Sequence, residues 1–308
     1  MPTSTSKAEF AHLDAMMATV RGASPRTTAV VQPTSALALG ATLDATREGL
    51  IKPVLVGDAR CIREAAASRE DLAGVPIVDA RTDAAAASEA VAMVRRGEVE
   101  IVMKGHIHSD EFLRPMLDKT SGLRTAQTMS HVFACYLPQR IYSKVLLLTD
   151  GAFNLAPDLA AKRAILENAI ALARALGIAQ PKVAILAATE EVNPAMQATL
   201  DAQALRNLGA EGAFGDALVG GPFAFDNAIS ADAARTKGIE SRVCGEPDIL
   251  LVPTIEAGNM LYKQMVHFCN AITPGIVLGA AVPIILTSRS DPPEARLASC
   301  ALAAILAA

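Results

Sequence analysis

Tryptophan is absent from this chain of 308 residues, and all aromatics together make up only 4%. An all-β sandwich is therefore disfavoured. With 51% hydrophobic residues and heavy use of alanine, closely packed helices on Val/Ile/Leu strands are favoured instead, and a sizeable core is within reach. Excess positive charge is also missing. The formal net charge is −4, which argues against a broad nucleic-acid surface but not against an anionic small substrate, since a few clustered arginines suffice locally. Paired cysteines are missing too. Cys61, Cys135, Cys244, Cys269 and Cys300 form no CxxC pair and are odd in number, so a reduced, cytoplasmic setting is expected. The opening MPTSTSKAEF has no apolar core of the secretory type. The longest apolar stretch, residues 271–286, is broken by Pro274 and Pro283 and falls short of the ~18–20 residues that span a bilayer, so no membrane association is expected. Walker A, GxGxxG and GxSxG patterns are lacking, which leaves P-loop, dinucleotide and α/β-hydrolase readings unsupported.

What the sequence does contain is organised around residues 282–297, VPIILTSRSDPPEARL. The apolar start reads as a buried strand over 282–286, entered from a loop at Pro283. Thr287, Ser288, Arg289 and Ser290 make a polar turn at its carboxyl end. Asp291 and Glu294 have capping-box spacing, and Pro292 suits the first position of a helix running through the Ala/Leu-rich end. In a parallel α/β sheet, ligands sit outside the carboxyl ends of strands; helix starts offer N–H groups to anions, and arginine grips phosphate or carboxylate bidentately.

Upstream, βα units repeat. A helix over 7–21 is followed by strands at 27–31, 53–57, 75–78 and 99–103, alternating with helices capped at Thr34-Ser35, near 60–72 and over 83–96. After a break at 120–124 and a mixed apolar stretch over 127–137, a second series follows. Its strands are expected at 145–148, 183–187 and 249–252, and its helices over 157–176, from Asn193-Pro194 to Leu208, from Ser230 to Lys237 and over 254–270; a strand at 276–281 leads to the last one. This pattern predicts a two-domain α/β protein with a doubly wound, mostly parallel sheet. Residues 1–126 with 280–308 are expected to form one domain and 127–279 an inserted second one, with Arg289 opposite Arg114 across a cleft between them.

Three clusters carry candidate chemistry. Besides the Ser288–Asp291 turn, whose bland reading is a capped helix, the stretch from Lys104 through His106, His108 and Asp110 to Arg114 lies at another strand end. HxH alone is a weak metal signal, so polar contacts to an anion are expected there and no metal. Gly258 and Asn259 sit at a helix start, with Tyr262 and Lys263 one turn on. Glycine permits close approach and asparagine bonds a ligand or caps the turn. Gly220-Gly221-Pro222 before Asp226 reads as turn chemistry.

At these residues the chain resembles the phosphate acetyltransferase/phosphate butyryltransferase family. The resemblance covers roughly residue 99 to the end, through VMKGHIHSDEFLRP, GLRTAQTMSHV, LLLTDGAFNLAPDL, GGPFAFDNAIS, DILLVPTIEAGNMLYKQM and ILTSRSD. The SRSD and LTDGAFNLAPDL versions look closer to the butyryl branch. The resemblance implies reversible transfer of a short acyl group between coenzyme A and inorganic phosphate, on the two-domain fold of isocitrate and isopropylmalate dehydrogenases, as a homodimer, with no cofactor besides the coenzyme A thioester substrate. It assigns Arg289 to phosphate and transition-state charge, Ser288 to the acyl oxygen and Arg114 to coenzyme A phosphates. Asp291 and Glu294 are nearby base candidates, and Lys104, Asn259, Lys263 and Asp226 are candidate substrate contacts. In the acetyl branch an aspartate proposed as base stands six residues after the arginine. Here that position is Ala295, and this departure supports the alternative of a non-catalytic binder of coenzyme A or acyl phosphate on the same fold. A metal-dependent decarboxylating dehydrogenase would need an aspartate cluster that the sequence lacks.

Overall fold

The computed structural model describes residues 9–66, 72–288 and 291–307. In chain order the first elements are α1 (Ala11–Thr19), β1 (Arg26–Val31), α2 (Ala36–Arg47), β2 (Ile51–Gly57), α3 (Ala59–Ala65), β3 (Ile77–Asp79), α4 (Asp83–Arg95), β4 (Ile101–Lys104) and α5 (Ser109–Met116). The middle of the chain forms β5 (Ser130–Cys135), β6 (Leu146–Thr149), α6 (Leu159–Ala175), β7 (Lys182–Leu186), α7 (Gln197–Ala210), β8 (Leu218–Phe223), α8 (Phe225–Ile229) and α9 (Ala231–Thr236). Then come β9 (Ile249–Leu251), α10 (Ile255–Cys269), β10 (Gly275–Leu278), β11 (Ile284–Ile285) and α11 (Pro293–Leu306). The described residues divide into two compact units. The first is Leu13–Met129 with 274–307, and the second is Ser130–Thr273 with 9–12.

The strand order of the first unit is β3-β2-β1-β4-β11-β10. All its pairings are parallel except β10 on β11. Parallel strands are covered on both faces, which is why the apolar ends of β1 (residues 29–31) and β4 (residues 101–103) are fully buried. Local signals place the helices: Ser35 Oγ accepts Ala38 N–H at 3.2 Å to start α2, as the Thr34-Ser35 reading expects, and Thr82 does the same for α4 through Ala85. Alanines let α11 pack closely, with Ala298, Ala301 and Ala303 almost fully buried.

The second unit has the order β5-β6-β9-β7-β8, parallel except for β5 against β6. Its core contains Leu146, Leu148, Leu250, Val252, Phe223 and Met265, with the Phe133 and Tyr262 rings stacked at 3.9 Å. Each fully buried side chain of this kind contributes about 1.5–3 kcal/mol.

The mostly parallel α/β architecture is as the sequence predicts, and several local readings need correction. Gly220-Gly221-Pro222 is not a turn but part of β8. Proline is tolerated there because β8 is an edge strand, and a Cβ on Gly221 would stand 2.7 Å from Ile185 O. α7 begins at Gln197 rather than at Asn193, because Thr199 Oγ1 takes Asn193 N–H and holds residues 193–196 in a turn. The helix runs on past Leu208 to Ala210, with Gly209 inside it, where a Cβ would meet Val219 Cβ at 2.8 Å. α11 starts at Pro293, one residue late, and Asp291 gives it no side-chain cap.

In the second unit His12 packs on Tyr136, ring centroids 5.2 Å apart, and among the described residues neither imidazole nitrogen nor the Tyr136 hydroxyl has a hydrogen-bond partner. Burial therefore lowers the His12 pKa from 6.5. The unfolded chain binds the proton more readily, so this group's share of stability is present above the unfolded pKa and is lost as pH falls below it. His12→Phe is expected to flatten the fall of Tm between pH 7.5 and 5.5; equal slopes in both proteins would show that His12 does not titrate on unfolding.

Candidate active site

In the first unit, the carboxyl ends of β1, β2, β4 and β11 bring loops together, and Gln32 knits three of them. Its φ is +51°, in the left-handed region. Its carbonyl accepts His106 N–H at 2.7 Å and Thr34 N–H at 2.8 Å, and its Oε1 accepts Asp58 N–H at 3.2 Å. A Cβ on Gly105 would lie 2.4 Å from Val31 O, so only glycine lets the loop after β4 come this close. Lys104, the last residue of β4, is buried beside this junction.

β11 pairs with β4 through Ile285 and Met103, which puts Ser288 beyond the same edge. Ser288 is held by both of its peptide groups. Its N–H donates to Asp291 Oδ2 at 2.6 Å, and its carbonyl accepts Asp291 N–H at 3.2 Å and an Arg296 Nη2 hydrogen at 2.9 Å. The structure thus brings Ser288 and Asp291 together and gives the Asp291 carboxylate a backbone donor. Ala295, where the acetyl branch carries its proposed base, is fully buried. Arg289, the other member of this cluster, lies outside the described residues.

Arg114 lines a depression of about 350 Å³ with Ala84, Ser88, Glu111, Pro115, Asp118 and Ser121. Hydrogen bonds from Ser121 and Thr120 hold the Asp118 carboxyl below the usual range. The cation therefore shares its surroundings with a permanent anion. His108 precedes α5 without capping it, and His106 and His108 are both exposed.

In the second unit, β6, β9, β7 and β8 also end at a common edge. Asp150, buried at the end of β6, shapes the loop that follows. Its carboxylate accepts the N–H groups of His131, Ala152, Phe153 and Asn154 and the Asn154 amide. That loop meets the first turn of α10 glycine to glycine: a Cβ on Gly258 would stand 2.6 Å from Gly151 Cα. Asn259 Nδ2 then donates to Gly151 O at 3.3 Å. Gly258→Ala is expected to push this loop away and cost about 1–3 kcal/mol, read as a lower unfolding midpoint; an unchanged midpoint would mean that the loop yields freely.

Asp226 lies in α8 after β8, with Lys237 Nζ 3.9 Å away. Its neighbour Asn227 is fully buried and donates to Glu190 Oε2 at 3.0 Å. Lys263 is exposed, its ammonium 5.6 Å from the Tyr262 ring. Residue spacing gave no sign of Gln32 or Arg296. Asp150 had one: an aspartate before Gly at a strand end is an Asx-turn signal. Burial pushes the thiols of Cys135 and Cys300 up to about 12, so neither offers a thiolate nucleophile at neutral pH. Among the described residues, no helix is long and apolar enough to cross a membrane.

Known proteins match this arrangement along nearly the whole chain. A phosphate acetyltransferase of Rhizobium meliloti is 45% identical over 96% of this chain and 93% of its own length. A phosphate butyryltransferase of Clostridium beijerinckii is 40% identical over 88% and 89%. The crystal structure of a branched-chain phosphotransacylase from Enterococcus faecalis V583 superposes with a TM-score of 0.77 at 32% identity, covering 92% of this chain and 99% of that one. Transferases, not passive binders, are thus what the chain is similar to. The Phosphate acetyl/butaryl transferase family profile matches residues 84–304, and the chain belongs to that family of acyltransferases.

Proposed function

We propose that the protein reversibly transfers an acyl group of two to four carbons between coenzyme A and orthophosphate. The observation that carries this reading is the turn after β11. There a serine is fixed through both of its peptide groups, next in sequence to an arginine, in a chain of this family. In the direction of thioester synthesis, the coenzyme A sulfur attacks the acyl phosphate carbonyl. The S–C bond forms, the C–O bond to phosphorus breaks, phosphate departs and the thiol proton is released. A free thiol of pKa near ~8.5 is only a few per cent ionised at pH 7, so deprotonation and charge stabilisation are the two tasks of the site.

We assign the charge on phosphate and on the tetrahedral oxygen to Arg289, and a hydrogen bond to the acyl oxygen to Ser288, with Asp291 completing the catalytic turn. Lys104, Arg114 and Lys263 supply positive charge for the phosphate groups of coenzyme A, and Asn259 and Asp226 supply polar contacts. Thioester and acyl phosphate are both activated acyl donors, so the exchange proceeds without a metal or organic cofactor. The free state of all five cysteines fits a cytoplasmic location. A homodimer is supported by the exposed face of α10, where Met260 and Phe268, two turns apart, are 70% and 84% exposed.

The test is direct. Incubation of acetyl-CoA or butyryl-CoA with phosphate should release free thiol and form acyl phosphate, and the two kcat/KM values rank the chain lengths. A folded preparation that binds coenzyme A yet releases no thiol from either substrate would refute the proposal.

A further inference from the structure

We infer that Arg296 is a positioning residue for the reaction and acts by fixing the peptide groups of Ser288; this rests on the reading that Ser288 touches the acyl group. Arg296 lies in the first turn of α11 and is only 3% exposed. A buried guanidinium is unfavourable unless its donors are engaged. Burial lowers its pKa, and the negative charge of Asp291 opposes that shift. Its Nη2 donates to Ser288 O at 2.9 Å and its Nε to Asp291 O at 3.4 Å, one fork reaching back to two carbonyls that precede α11. Asp291 closes the other side through its carboxylate on Ser288 N–H at 2.6 Å.

Ser288 therefore has its N–H and C=O fixed by side chains that follow it in sequence, and its Cα–Cβ direction is set before any substrate arrives. Arginine suits this task because its planar fork reaches two carbonyls at once, whereas lysine offers a point charge. A shift of about 1 Å in a reacting group costs on the order of 10²-fold in rate. Arg296 touches neither acyl group nor phosphate in this scheme.

The test compares Arg296→Lys, Arg296→Met, Arg296→Ala and Ser288→Ala, with kcat normalised to folded protein and Tm measured alongside. Arg296→Met is expected to lower kcat by about 100-fold and Arg296→Lys by about 10-fold. Added guanidinium should restore kcat in Arg296→Ala well below its Tm, a recovery that packing alone does not require. If Arg296→Met does not fold, Arg296→Lys decides, because it keeps the charge and most of the stem. Unchanged kcat in Arg296→Lys beside an impaired Ser288→Ala overturns this inference alone. Full activity in Ser288→Ala overturns the reading on which it rests.

Discussion

Arg289→Ala lowers kcat/KM for acyl-CoA and phosphate by about 10²–10³-fold and leaves Tm within about 2 °C of the parent. The rate estimate follows from the charge that has to be held. Phosphate leaves, or attacks, as an anion while the carbonyl oxygen gains charge, and removing one well-aimed donor from such a transition state costs about 2.7–4 kcal/mol. A guanidinium meets phosphate with two parallel N–H groups. Arg289→Lys keeps the charge but loses that geometry, so less than about a tenth of the rate is expected back. The stability estimate follows from residue type alone: substitution of a charged residue in a polar segment such as TSRSD usually moves stability by less than about 0.5 kcal/mol. Initial-rate kinetics with both substrates varied, beside a thermal melt, check the two halves. Unchanged kinetics would remove Arg289 from the chemistry, and a collapsed melt would make it structural.

The last strand and α11 were legible because their signals are local: an apolar run for the one, and a proline pair opening an Ala/Leu run for the other. The alternation of strands and helices was legible for the same reason. β5 was not. Its SHVFAC sequence begins with two polar residues, yet every position is buried. Ser130 and His131 are polar yet buried, and Ser130 Oγ accepts a hydrogen bond from the buried Asn168 amide at 2.9 Å. The Gly-Gly-Pro of β8 misled for a related reason, because glycine and proline signal turns unless an edge strand must pass close to its neighbour. At the candidate site, the sequence marked the residues whose side chains were read as facing substrate and missed those that hold them. Arg296 sits in an Ala/Leu run that reads as plain helix, and only the folded chain shows its guanidinium reaching back to Ser288 O. Gln32 likewise acts through its backbone and amide across loops far apart in sequence. Such residues carry no spacing signal, because their partners are set by the order of strands in the sheet.

Lys162→Ala is expected to destabilise the protein by about 3–5 kcal/mol, whereas Lys162→Met combined with Asp201→Leu returns to within about 1 kcal/mol of the parent or above it. Lys162 Nζ donates to Asp201 Oδ2 at 2.6 Å between α6 and α7, and the two side chains are 6% and 4% exposed. Gln197 Nε2 donates to the other carboxylate oxygen, Oδ1, at 2.8 Å. Removing the lysine alone leaves a carboxylate with one amide and little water, and that uncompensated charge accounts for most of the loss. Removing both charges and filling the space with apolar atoms removes the penalty with its cause. Urea unfolding of the parent, the two single variants and the double variant gives the coupling between the sites directly. Additive single effects would show that the pair is solvated enough to behave as a surface bridge, worth about 0–1 kcal/mol. The consequence reaches the candidate site. α7 packs on β8, with Gly209 against Val219, and β8 leads into α8, which carries Asp226. A loosened α7 should therefore raise KM for coenzyme A in Lys162→Ala at temperatures where the protein is still folded, and the double variant should bring it back.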